Sequence, residues 1–187
     1  MEGMALRHAI ESTLLVMGEA SGYDLSKEFD GARATFWVAT PQQLYRELDR
    51  MEADGVILAR TVEQAKRPNK RVFRLTDAGC AELSAFTRTA PRAVAIRDEL
   101  MVMVQAVEVG DPAAVCDAVR AFRDAASAKL AYYERLERTW LGDRSREELL
   151  AERHLGGPYL TLLRGLRFER ENIDWAELAL PVLEARG

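Results

Sequence analysis

Long hydrogen-bond donors recur on one side of the stretch from Thr40 to Arg50. Gln42, Gln43, Arg46 and Arg50 stand opposite Leu44, Leu48 and Met51, which fall at i, i+4 and i+7 and define an apolar helical stripe. Amide and guanidinium groups form paired bonds to base edges and charge-assisted bonds to phosphates. A second concentration of charge follows. From Arg60 to Arg74 the chain carries Arg60, Lys66, Arg67, Lys70, Arg71 and Arg74 against one acid, Glu63, a local balance of +5 in a protein of net charge −4. That chemistry is electrostatic recognition of a polyanion.

Local signals define the elements that must carry these groups. Thr40 is a helix N-cap, Pro41 suits the first helical position, and Gln43 completes a capping box. Asp54-Gly55 ends the helix, with Gly55 free to adopt a left-handed conformation. Val56-Ile57-Leu58 and Val72-Phe73-Arg74-Leu75 read as strands joined by the turn Lys66-Arg67-Pro68-Asn69-Lys70. Upstream, Leu6, Ile10, Leu14 and Met17, widened by Ala9 and Leu15, predict a helix over Met4 to Met17, and a shorter helix runs from Tyr23 to Phe29 with Leu25 and Phe29 inward. Phe36 and Trp37, in the loop before Thr40, read as braces for the third helix. Thr76 caps a helix carrying Leu83 and Phe86, and Thr87 to Pro91 looks like a boundary. Three helices followed by a basic hairpin are the layout of a winged helix-turn-helix, expected over residues 1–90. In that layout Gln42 and Gln43 reach base edges, and Tyr45, Arg46 and Arg50 contact edges or phosphates. Lys66, Arg67, Lys70 and Arg71, with Asn69 in the same turn, meet the backbone of double-stranded DNA.

Residues 91–187 are of another kind, almost wholly helical. Ile96, Leu100, Met103, Val104 and Val107 predict one helix stopped at Gly110, and Asp111-Pro112 starts the next. Val115, Val119, Phe122, Ala126, Lys129, Tyr133, Leu136 and Trp140 then form a heptad seam with one polar interruption, Lys129. Ser145-Arg146-Glu147-Glu148 is a capping box, Gly156-Gly157-Pro158 a break, and the last helix shows Tyr159, Leu162, Leu163, Leu166, Ile173, Ala176 and Leu180 before Pro181. Stripes this long need partners. We expect a dimerisation domain in which Val115, Phe122, Leu136, Leu166 and Ile173 are shared between two chains. The fold class is thus mostly α with a small β-hairpin: a winged helix plus a C-terminal helical domain.

Other classes are weakened by what the chain lacks. It shows no Gly-rich phosphate loop, metal-ligand spacing or nucleophile elbow, so no enzyme and no cofactor is expected. His8 has no second His/Cys/Asp cluster near it in sequence and reads as a surface or packing residue; no metal site is expected. Cys80 and Cys116 are far apart and read as buried or half-buried thiols. Apolar runs are too short to span a membrane, and Glu11 interrupts any leader-like stretch, which implies the cytoplasm.

Several of these fragments together resemble the PadR family of transcriptional regulators, in the form with an extended helical C-terminal domain. They are Phe36-Trp37, Gln43 to Leu48, Met51 to Val56, Arg67 to Gly79 with its Leu-Thr-x-x-Gly helix start, and Arg97-Asp98-Glu99-Leu100. Pro41 departs from the pattern, where a polar residue is usual, and removes one possible contact. The resemblance implies a homodimer on a palindromic operator, usually repressing, and an effector that lowers operator affinity. An apolar or aromatic effector would suit a cavity between protomers, with Phe36, Trp37, Met101, Met103, Tyr132, Tyr133 and Trp140 as candidate lining. The competing reading is a winged helix used only for protein contacts, which has no need of a basic hairpin.

Overall fold

The structure, a computed structural model, describes residues 2–30, 37, 39–63, 69–91, 93–94 and 97–186. Two compact units divide between Pro91 and Arg92.

In the first unit α1 (Glu2–Met17), α2 (Gly22–Asp30) and α3 (Pro41–Ala53) enclose a core whose least exposed members are Ile10, Leu14, Leu25, Leu44, Leu48, Met51 and Ile57, with Phe29 and Phe73 beside them. Three strands, β1 (Ala20–Ser21), β2 (Ile57–Val62) and β3 (Lys70–Leu75), form an antiparallel sheet in the order β1-β3-β2. Register runs from Ile57 opposite Leu75 to Val62 opposite Lys70, and β1 pairs Ala20 with Phe73. β1 was not expected from the sequence, because a strand of two residues has no period. Leu15 does not widen the buried stripe of α1: it is 60% exposed. Ser21 bonds Asp24 through its hydroxyl (2.6 Å) and its N–H (3.0 Å), while Asp24 N–H returns to the Ser21 hydroxyl, which pins the start of α2 beside the sheet.

α4 (Asp77–Phe86) is capped by Thr76, whose hydroxyl accepts from Gly79 N–H (3.1 Å) and donates to the Gly55 carbonyl (2.8 Å). Gly55, at φ 74°, takes the left-handed conformation that ends α3. α4 is therefore fastened to the exit of α3. Cys80, on α4, is exposed rather than buried; Cys116 is buried.

The second unit contains α5 (Glu99–Gln105), a 3₁₀ turn (Val107–Val109), α6 (Pro112–Leu141), α7 (Arg146–Ala151) and α8 (Gly156–Glu184). Asp111 caps α6 with Pro112 in its first turn, and Ser145 with Glu148 forms the capping box of α7. α6 and α8 pack antiparallel and bury two apolar clusters. One joins Val107, Val115, Cys116 and Val119 to Ala176, Leu180 and Leu183. The other joins Tyr133 to Leu149, Tyr159, Leu162 and Leu166. Between them, Glu169 is buried on α8 with Asn172 donating to it at 3.2 Å and Lys129 Nζ at 4.0 Å, so the polar interruption of the seam has a partner. Pro181 does not end α8. The cost of its missing N–H is offset because continuing the helix buries Leu183 against the first cluster.

Candidate nucleic-acid interface

α3 buries Leu44, Glu47, Leu48 and Met51, and everything else on its first three turns faces outward: Gln42, Gln43, Tyr45, Arg46, Asp49 and Arg50 are exposed. Within that face the structure separates the candidates by occupation. Gln43 Oε1 accepts from Thr40 N–H (2.9 Å) and the Thr40 hydroxyl (3.1 Å), so the amide oxygen belongs to the cap and a paired bond to an adenine edge would break it. Tyr45 lies across the start of α2, where a Cβ placed on Gly22 would come within 2.4 Å of its ring. Arg50 reaches back to Glu47 (3.4 Å). Gln42 and Arg46 make no side-chain hydrogen bond or ion pair among the described residues, and their donors are free.

Much of the positive charge counted along the hairpin is answered by acids from elsewhere. Arg60 on β2 pairs with Glu19 at 2.8 and 2.5 Å. On β3, Arg71 donates to Asp49 (3.3 Å) and to Glu52 on the far turns of α3, and its guanidinium lies 5.3 Å from the Phe73 ring centre. Lys70 Nζ stands 3.9 Å from Asp24. The Ser21 hydroxyl bond, above all, holds the Asp24 carboxyl below its ordinary value, with Lys70 contributing. Arg74 is exposed with no ion pair among the described residues. Asn69 is exposed immediately before β3, while Lys66 and Arg67 lie outside the described residues. The four acids Glu19, Asp24, Asp49 and Glu52 were missed by sequence reasoning because their partners are distant in the chain.

The expected dimer residues are not placed alike. Val115 and Leu166 are 5% and 1% exposed within their own chain, so no surface remains on them for a second one. Phe122 packs edge-on against Trp175 (5.9 Å), and Leu136 packs against the Tyr133 cluster. Ile173 turns toward the same inner side of α8 as Leu166 and is half-buried. Val115, Phe122, Leu136 and Leu166 thus pack within their own chain. On the opposite side of α8, Leu160, Phe168, Leu178 and Val182 are 58%, 43%, 71% and 51% exposed. At 100° per residue they fall within a sector of about 80°, an outward set of apolar side chains that shares its sector with Arg164 and Glu171, the Arg164 guanidinium lying 5.5 Å from the Phe168 ring centre.

Family models match along most of this chain. Residues 13–85 match the Transcriptional regulator PadR-like family, and residues 96–184 match the Virulence activator alpha C-term. A Mycobacterium tuberculosis protein named "Probable transcriptional regulator Rv1176c" is 34% identical over 193 residues, covering 98% of this chain and all of that one. The chain belongs to the PadR-like family of transcriptional regulators. The Bacillus subtilis protein named "Negative transcriptional regulator PadR" is 29% identical over 96% of this chain and 97% of its own. Bacillus subtilis PadR solved in complex with operator DNA superposes with a TM-score of 0.73 at 28% identity, covering 96% of this chain and 99% of that one. Its complex with p-coumaric acid gives 0.67 at 27%, covering 96% and 98%.

The PadR-like architecture does not gather the expected effector residues into one place within a unit. Trp37 packs half-buried on the core of the first unit, and Phe36 lies outside the described residues. Met101 and Met103 are exposed on α5, whose Leu100 and Val104 join the Val115 cluster. Tyr133 is 1% exposed in the other cluster, with Tyr132 tilted against it (5.7 Å) and Trp140 packed nearby. Val115 and Tyr133 are separated along α6 by about 27 Å at 1.5 Å per residue. Among the described residues, no helix is long and apolar enough to cross a membrane.

Proposed function

We propose that this chain is a cytoplasmic, non-catalytic repressor that binds a palindromic operator as a homodimer, with α3 in the major groove and the β2–β3 hairpin on the flanking backbone. The observation that carries the reading is the division of α3. One face is sealed into the core, and the other presents Gln42 and Arg46 with uncommitted donors. Gln42 and Arg46 read base edges, Arg50 and Tyr45 contact edges or phosphates, and Gln43 holds the helix start. On the hairpin, Lys66, Arg67, Asn69, Lys70 and Arg71 approach phosphates; Arg71 exchanges the Asp49 and Glu52 carboxylates for phosphate when it does so. Bacillus subtilis PadR, named a negative regulator and solved with operator DNA and with p-coumaric acid, supports repression and an aromatic effector here too. Such an effector must favour the DNA-free geometry, since equal affinity for both states shifts nothing.

Fluorescence anisotropy on the promoter fragment beside the gene, across a salt series, tests the reading. Arg46→Ala should weaken specific binding by about 1–3 kcal/mol, roughly 5- to 150-fold, while leaving the fold intact. Operator affinity and sequence preference both unchanged in Arg46→Ala would refute the orientation of α3.

The second chain of the dimer covers the outward stripe of α8. An apolar surface of that extent on a regulator with a two-fold operator is a self-complementary patch. Leu178→Glu should weaken the dimer by about tenfold or more, the cost of burying an unpaired carboxylate. Sedimentation velocity reads this directly, and a variant as dimeric as the parent at every concentration would place the interface elsewhere.

A further inference from the structure

We propose that His8, Glu11 and Glu82 form a site for a first-row transition-metal dication that ties α1 to α4. Glu11 lies three residues from His8 on α1, and the fold brings Glu82 from α4 beside them. One nitrogen of His8 and one carboxylate oxygen from each glutamate all lie within 4.8 Å of one another. His8 Nδ1 is 2.9 Å from Glu11 Oε2, and the imidazole is held by stacking on Phe86, centroids 4.1 Å apart and planes 20° apart.

The independent pointer is Glu11 itself. Its side chain is 0% exposed, and Oε1 has no hydrogen-bond partner. A fully buried acceptor left unmatched is rare in native proteins and implies an occupant. Arg7 does not supply one. Its Nη2 donates to Asp54 at 2.7 Å, and its Nε comes within 2.8 Å of Glu82 Oε1 without making a hydrogen bond. A cation taking Glu82 would leave Arg7 its Asp54 partner. With two carboxylates and one guanidinium, the cluster carries one net negative charge before a dication enters.

The donor set indicates the class of ion. One imidazole nitrogen with two carboxylate oxygens suits zinc and its neighbours, whereas magnesium and calcium seek all-oxygen shells. Ligand atoms about 2.1 Å from a tetrahedral ion stand ~3.4 Å apart, so the His8–Glu11 pair must open from 2.9 Å while the set, now within 4.8 Å, closes around the ion. Glu82 can supply the movement, since its side chain is 35% exposed and ends a helix-borne stem at the surface. A water completes the shell.

The test uses the full chain and does not involve DNA. Cobalt(II) is titrated in while its visible ligand-field bands are recorded, and zinc affinity is measured by competition with a chromogenic chelator. One ion per chain is expected. Glu82→Gln and His8→Gln should each weaken it by about tenfold or more, and zinc should raise the melting temperature of the parent but not of Glu82→Gln. Cys80→Ser, removing the exposed thiol of α4, should change neither result. Glu82→Gln lies at the surface and keeps side-chain shape, and circular dichroism verifies its fold. Absence of stoichiometric uptake at micromolar metal, or uptake unaltered in Glu82→Gln, overturns the site.

Discussion

Gly79→Ala should destabilise the first unit by about 3 kcal/mol or more, lowering its melting temperature by roughly 12 °C or more and abolishing DNA binding near the new midpoint. A Cβ at this position would stand 2.2 Å from the carbonyl oxygen of Val56 and 3.2 Å from its carbon. That obstacle is backbone, so no rotamer change relieves it. The same oxygen accepts from Thr76 N–H (3.1 Å), and Thr76 also bonds the Gly55 carbonyl. Moving α4 away by about an ångström would therefore break the cap that fastens it to the exit of α3, at ~1 kcal/mol per hydrogen bond. Thermal denaturation of the full chain reads the loss, and hydrogen exchange across α1 to α4 locates it. Ala78→Gly, exposed and one residue earlier, is the control, with a cost of about 1 kcal/mol at most. A Gly79→Ala protein melting within a degree of the parent would mean that α4 does not dock in this way.

The second large effect lies in the other unit. Glu137 on α6 is 7% exposed and accepts from the buried Tyr159 hydroxyl (2.7 Å) and from both arms of Arg146 (3.0 Å each). It links α6, α7 and α8 through one carboxylate. Glu137→Ala leaves the Tyr159 hydroxyl buried without a partner and should cost about 3 kcal/mol, discounted from the upper values for buried pairs because Arg146 is half exposed. Tyr159→Phe, which removes a single bond, should cost about 1 kcal/mol. The network also gives stability a pH dependence at both ends. Burial pushes the Glu137 carboxyl up, but the Tyr159 and Arg146 bonds outweigh it and hold the group below its ordinary value. Its contribution is complete above the ordinary carboxylate range and is lost as pH falls through the depressed value. For Tyr159, burial and then the Glu137 bond raise the phenol from 10.0 to about 12. The neutral form is favoured in the fold, so that contribution is complete below pH 10.0 and lost as pH rises toward about 12. Chemical denaturation at stepped pH should show the alkaline decline in the parent and a shallower one in Tyr159→Phe. Identical alkaline limbs would remove Tyr159 as its origin.

The features legible in the sequence are those set by neighbours. Thr40, Pro41 and Gln43 start α3, and Gly55 ends it, because capping bonds span three or four residues. Asp111-Pro112 and Ser145 to Glu148 start their helices for the same reason. The apolar stripe of α3 turns its polar face outward by helical geometry alone, so the spacing of Gln42 and Arg46 suffices to mark them as outward donors. Distance along the chain concealed the rest. β1 gains its strand character only from β3, some fifty residues on. Arg60 meets Glu19 across 41 positions and Arg71 meets Glu52 across 19, so a charge count along the hairpin overstated what remains free. Two stripes that each needed cover found it in one another, α6 against α8, which moved the open apolar surface to the opposite side of α8. Pro181, a stop by local rules, was overridden because Leu183 gains a core position beyond it. His8 and Glu11 are three residues apart on one helix, yet their third companion, Glu82, arrives from α4. Hydrogen-bond caps and amphipathic periods act over a few residues and can be read one segment at a time; charge pairing and burial depend on which segments meet, and only the folded chain decides that.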